Sequence, residues 1–372
     1  MSMMDYRQHS VEPENAQDTY GEFNQVDFRL SFEGRKIELN TLRLLGNITL
    51  SGAGVTNPDD LRVENFAGAH VFCQEILSST ANQGLVESIS NYPRYVAMQS
   101  RALNQIDNQF SSRDICELKS YGSRVSGEKF KGVQIRNVAN NATIGTNNMD
   151  FSIRPLICFN NAEGDQYMPH TKSGDLIISV RLCRNADFAF GGALDATSAY
   201  SLDNLRLTFN SIPDDGQDGG RVLGSKIALE QVVDSSLVNI SATVPGVCTG
   251  VSCSAIQSTK LSDVTLNNLQ QERIPDVTAL SFLFNNSQSE YITYEIRNNV
   301  DLNQRYLESF LMPVRNNQSQ TEVLNSNDSF GIGLNFQDQV DLSSQKFGLE
   351  LESSVNAVSY ILYMYFHALV QM

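Results

Sequence analysis

The chain has 372 residues, a formal net charge of −15 and a charged fraction of 19%. An acidic balance of that size argues against coating nucleic-acid phosphates or anionic lipid, and a hydrophobic share of 41% excludes a wholly disordered chain. With no Trp, only 4 His and 6 scattered Cys, the composition leans away from a metalloenzyme or a disulfide scaffold and towards a structural or binding protein.

Residues 1–23 are polar and aperiodic and read as a flexible N-terminal arm. Their opening, MSMMDYRQHSVEPENAQ, has no apolar core of a secretory signal. The expectation is a soluble protein made in a reducing compartment, with the N-x-S/T triplets (Asn47 and Asn239 among them) as by-products of composition.

Period-two alternation starts at Val26, Phe28, Leu30 and Phe32. It returns at Leu176–Leu182, at Leu205, Leu207 and Phe209, and at Ile292, Tyr294 and Ile296. Later examples are Ile332, Leu334 and Phe336, then Phe347, Leu349 and Leu351. Many short strands between Asn, Gly, Asp and Ser clusters predict an all-β sandwich or barrel. Helical spacing is sparse. It occurs at Leu85, Ile89, Tyr92 and Val96, where Pro93 forces a break or a fresh start, and after the candidate caps Ser262 and Asp301.

The run IPDDGQDGGRV divides the chain. Residues 24–212 and 223–372 are each long enough for one eight-stranded sandwich, with 213–222 as linker.

Several segments invite chemical readings. Gly246-Val247-Cys248-Thr249-Gly250 formally matches a nucleophile elbow with Cys in place of Ser, but the helix that must follow it is not apparent. Cys248 and Cys253 lack a second pair of zinc ligands. Asp214–Gly219 resembles half a calcium loop, yet Gly216 and Ser225 stand where ligands are required. Gly220–Lys226 lacks the Gly-Lys-Ser/Thr order of a phosphate loop. His9, His70, His170 and His367 lie in four separate segments, and His70 and His367 read as core or interface side chains. No catalytic, cofactor-binding or metal-binding residue is assigned.

The order of segments carries a resemblance. It runs through Asn65–His70, Cys73–Leu77, Gly84–Ile89, Phe151–Pro155, Met168–Pro169, Gly174–Ile178 and Tyr200–Leu207. It continues through Tyr291–Arg297, Tyr306–Glu308 and Asp341–Gln345. This order resembles the double jelly-roll capsid proteins of icosahedral DNA viruses, a lineage of tailless lipid-containing phages, adenovirus-like hexons, virophages and large eukaryotic DNA viruses. The resemblance implies two eight-stranded antiparallel jelly rolls in tandem, with short helices in loops. It implies a viral major capsid protein, not an enzyme and without a cofactor, that trimerises into pseudo-hexameric capsomers of an icosahedral virion. The implied partners are further copies of the chain in homotrimers and neighbouring capsomers, penton and other minor capsid proteins, and an internal membrane or membrane protein. Sequence-specific nucleic-acid binding is not expected. The N-terminal arm and the apolar C-terminal strand are expected to reach neighbours or an underlying layer. Two further readings are a penton or minor capsid protein and a jelly-roll carbohydrate-binding protein. A cysteine hydrolase using Cys248 is the fourth.

Overall fold

The computed structural model describes residues 5–52, 62–64, 66–102, 116–119, 133–134, 147–160, 167–189, 196–216, 223–234, 237–243, 246–263, 269, 277–284, 287–295, 331–343, 346–353 and 359–369. In chain order the first half contributes β1 (Arg7–Val11), β2 (Gln25–Leu30), β3 (Arg35–Ser51), β4 (Arg62–Val63), β5 (Cys73–Thr80) and β6 (Gly84–Ser90). Helix α1 (Tyr92–Ala102) follows, then β7 (Val133–Gln134), β8 (Asn147–Ile153), β9 (Tyr167–Pro169), the single turn α2 (His170–Ser173), β10 (Leu176–Leu182) and β11 (Ala199–Pro213). The second half contributes β12 (Leu223–Asp234), β13 (Leu237–Thr243), β14 (Val247–Gln257), β15 (Val277–Phe284), β16 (Ser287–Glu295), β17 (Gly331–Asp341), β18 (Lys346–Ser353) and β19 (Ser359–Leu369).

Four of these strands form the path β1-β11-β3-β8, with β9 also paired to β3. Facing them are β6-β5-β10-β2. The second half repeats the plan with β17-β14-β19-β12 and β13-β18-β15-β16. Each half is therefore an antiparallel sandwich, as the alternation predicts. Val26, Phe28 and Leu30 of β2 are buried with Leu176, Ile178 and Val180 of β10, and with Leu205, Leu207 and Phe209 of β11. Burial of this apolar surface is the main force closing the sandwich, at about 25 cal/mol per Å².

The two sandwiches share a sheet. Strands β12 and β6 meet in parallel at Ile227 and Ser88, so that two four-stranded layers run on as one eight-stranded sheet. This is the one parallel pairing among the described strands.

Three expectations are corrected. Of the expected arm, residues 5–23 are not free: β1 pairs antiparallel with β11 from Arg7↔Ser211 to Val11↔Leu207, and Tyr20 bridges Leu202. The inner face of this edge strand carries only His9 and Val11, both half-buried, so its alternation is too short and too polar to stand out from a tail. The C-terminal strand is not an outward arm either. β19 lies between β14 and β12, with every residue from Ile361 to Ala368 buried, because both its faces are covered within the chain. Finally, the apparent helix at Leu85–Val96 is a strand followed by a helix. Asn91 takes a left-handed φ of 51° between them, and Pro93 sits in the first turn, where a missing N–H costs nothing. The helix expected after Asp301, and most of that expected after Ser262, lie outside the described residues.

Candidate assembly surfaces and the seam between the sandwiches

The N-terminal residues close one side of the first sandwich. β1 covers the outer edge of β11 in one layer. The chain then crosses to the other layer and covers β2. Glu14 N donates to Asp27 O (2.8 Å), Asp27 N donates to Asn15 Oδ1 (3.2 Å), and Arg29 Nε donates to Glu14 Oε1 (2.6 Å). Tyr20 finishes the span with two backbone bonds to Leu202, both 2.8 Å. Backbone polar groups of Asp27 on β2, and of Leu202 and Leu207–Ser211 on β11, otherwise templates for uncontrolled pairing, are thereby occupied.

At the β1 end the clasp is pinned by a polar cluster. His9 stacks on Phe209 with centroids 4.7 Å apart and an interplanar angle of 7°, and its Nε2 lies 2.7 Å from Ser211 Oγ. Arg35 donates from Nε to the same Ser211 Oγ (2.7 Å) and pairs with Asp5 (3.3 Å). Burial, reinforced by the positive charges of Arg35 and Arg7, pushes His9 below its ordinary pKa.

Helix α1 forms the seam. Residues 92–99 are buried on every side, a pattern expected of a helix packed between two bodies. The partner on the second half is β19. Tyr95 and Tyr365 rings lie 5.2 Å apart, Tyr365 Oη donates to Asn91 O (3.1 Å), and the Arg94 guanidinium lies 4.3 Å from the Tyr363 ring centroid. Behind α1 lies a buried charged network. Glu117 Oε2 accepts from Lys119 Nζ (2.8 Å) and lies 3.4 Å from His70 Nε2, while His70 Nδ1 lies 3.0 Å from Tyr92 Oη. Gly68 is required beside it. Its φ is 56°, and a Cβ there would stand 2.3 Å from the Glu117 carbonyl oxygen.

The residues singled out for chemistry are dispersed. Cys248 is buried inside strand β14, with the chain continuing as strand where an elbow needs a helix. Burial, with a smaller push from Asp341, drives its thiol up to about 12, the opposite of what a thiolate nucleophile needs. His367 is buried in β19 and places Nε2 2.7 Å from Ser252 Oγ. Cys253 is buried, and its thiol is also pushed up by burial. Asp214 and Asp215 already face a cation: the buried Lys36 ammonium pairs with Asp215 and lies 3.7 Å from Asp214 Oδ1. His170 Nε2 lies 3.0 Å from Asp175 Oδ1 at the surface. Burial raises the Asp175 carboxyl, but hydrogen bonds with His170 and Ser31 outweigh it and hold the group below its ordinary value. Residues 220–222 of the glycine-rich run lie outside the described residues. Among the described residues no group of three or more His, Cys, Asp or Glu is placed to hold a metal, and no helix is long and apolar enough to cross a membrane.

No protein-family model and no curated protein matches the sequence. Solved structures do. A chain of the Sputnik virophage structure superposes with a TM-score of 0.59 at 10% identity, covering 98% of this chain and 85% of that one. The Faustovirus major capsid protein gives 0.57 at 9% identity, over 100% and 90%. The mavirus major capsid protein gives 0.52 at 9% identity, over 97% and 86%. The fold is that of the double jelly-roll major capsid proteins. Two jelly rolls side by side account for the paired sandwiches and for the parallel join between β6 and β12.

Reasoning from sequence missed the clasp and the seam. Arg94 and Tyr363 carry no local pattern that links them. A signal for α1 was present in the Asn91-Tyr92-Pro93 start. The Glu117 network draws on residues far apart in the chain.

Proposed function

We propose that this chain is the major capsid protein of an icosahedral virus, trimerising into pseudo-hexameric capsomers that assemble into the virion shell. One observation carries the reading: the double jelly-roll likeness extends over nearly the whole chain and most of each compared protein. The first jelly roll is residues 24–212, extended at its edge by the clasp, and the second is 223–372, with 213–222 between them. Tandem rolls favour the major coat protein over a penton, which needs one roll with an added domain. The chain acts by contact and without catalysis, in keeping with a Cys248 thiol that burial keeps protonated. Its partners are further copies of itself, with minor capsid proteins and an inner membrane as further contacts of the finished particle. Light scattering on purified protein tests this reading. A mass of three chains supports it, and a monomer at every concentration, salt and pH overturns it.

A further inference from the structure

The chain's first described residues are held in a way that would suit a neighbouring copy equally well. From Asp5 to Tyr20 only Pro13 and Tyr20 are buried, and the rest are exposed or half-buried. The segment binds through the β1–β11 ladder, the Glu14 and Asn15 bonds to β2, and the Tyr20–Leu202 bridge. These, like the Asp5–Arg35 pair at the β1 end, are made to groups that every copy presents. A single short turn joins the segment to β2. In it Asn24 N donates to Gly21 O (3.2 Å) and Gly21 N donates to Asn24 Oδ1 (2.8 Å).

Phe23 inside that turn has a φ of 62° and is 64% exposed. A bulky aromatic in the left-handed region is strained. Burial does not offset the strain, because the ring lies in water. A short connection under strain favours exchange of the element it tethers, since opening the turn relieves the strain while every docked contact is remade on another copy.

We propose that residues 5–20 are an exchangeable clasp: in the assembled coat the clasp of one copy seats on the β11 and β2 edges of its neighbour, with Gly21–Asn24 opened into an extended hinge. The proposal rests on the capsid reading for the presence of that neighbour. Four extended residues reach at most about 14 Å. The copies must therefore meet at this end of the first roll, and a closed ring of exchanges leaves the β11 and β2 edges of every copy covered.

A disulfide trap tests it in the full-length chain. Ser10 and Thr208 are directly opposite in the β1–β11 register, and neither belongs to the core. The Ser10→Cys/Thr208→Cys pair is made in a Cys116→Ser background, because Cys116 is the exposed cysteine among the six. Oligomers isolated by size-exclusion chromatography and sized by light scattering are oxidised and run on a denaturing, non-reducing gel. Exchange predicts that most of the cross-linked protein runs at two and three times the chain mass. Peptide mapping that finds the engineered disulfide between β1 and β11 only within single chains of a true oligomer overturns exchange and leaves the capsid reading standing. A wild-type protein that forms no oligomer defeats both.

Discussion

The guanidinium of Arg94, on a helix of the first jelly roll, lies 4.3 Å from the ring centroid of Tyr363, on the last strand of the second. Both residues are buried, so this cation–π pair is worth about 2 kcal/mol, more than its surface counterparts. With Tyr365 Oη bonded to Asn91 O, it locks two domains of separate sequence into one body. Arg94→Met, which keeps bulk and removes charge, is expected to cost about 2 kcal/mol. Tyr365→Phe is expected to cost about 1 kcal/mol. Urea unfolding checks both. If the seam couples the rolls, the wild type unfolds in one transition and the double variant separates into two.

Behind that seam, Glu117→Ala leaves the Lys119 ammonium buried without its carboxylate, 2.8 Å away in the wild type. Breaking a buried pair from one side costs about 3–5 kcal/mol. Glu117→Gln with Lys119→Met removes both charges and is expected to recover most of the loss. A double-mutant cycle by chemical denaturation measures the coupling.

Phe23 should reverse the usual sign of a substitution. Phe23→Asn suits the left-handed φ of 62° and buries nothing less, since the ring is exposed. The monomeric chain is expected to gain about 1 kcal/mol. A thermal midpoint lower than that of the wild type would show that the ring has a partner within the chain.

Acid should loosen the clasp. Burial, then Arg35 and Arg7, hold His9 below its ordinary value of 6.5, so the folded state binds fewer protons than the unfolded state just under that pH. The stability His9 contributes is fully present above about 6.5 and is lost as pH falls through the window down to the folded value. Amide exchange of β1, relative to β10, is expected to quicken between about pH 7.5 and about pH 5.5. In His9→Gln that pH dependence should be absent.

The cysteines test the proposal that the chain acts without thiol chemistry. Five are buried and Cys116 is exposed. Burial drives Cys73, like Cys248, up to about 12. Native protein should label at one site with maleimide and at six in denaturant. Rapid labelling of Cys248 would revive the hydrolase reading.

Much of the fold was legible because a half-buried strand writes itself as alternation. Val26–Leu30, Leu176–Leu182 and Leu205–Phe209 became β2, β10 and β11 with the predicted faces inward. The same rule fails where the two faces of a strand differ little in polarity. β1 turns only His9 and Val11 inward, both half-buried, and reads as a tail; β19 is buried on both faces and reads as a sticky terminus. At Leu85–Val96 the spacing straddles two elements, and Glu87 points inward, where its carboxylate accepts from Cys158 N at 2.6 Å. A buried acid in a strand hides the alternation. The seam stayed invisible because Arg94 and Tyr363 are brought together only by the packing of one roll on the other.

Negative-stain electron microscopy of the purified chain tests the central claim most directly. Three double jelly rolls joined side by side predict particles of uniform size with a pseudo-hexagonal outline and three-fold symmetry. Fields of single two-lobed particles at every concentration, salt and pH would contradict it.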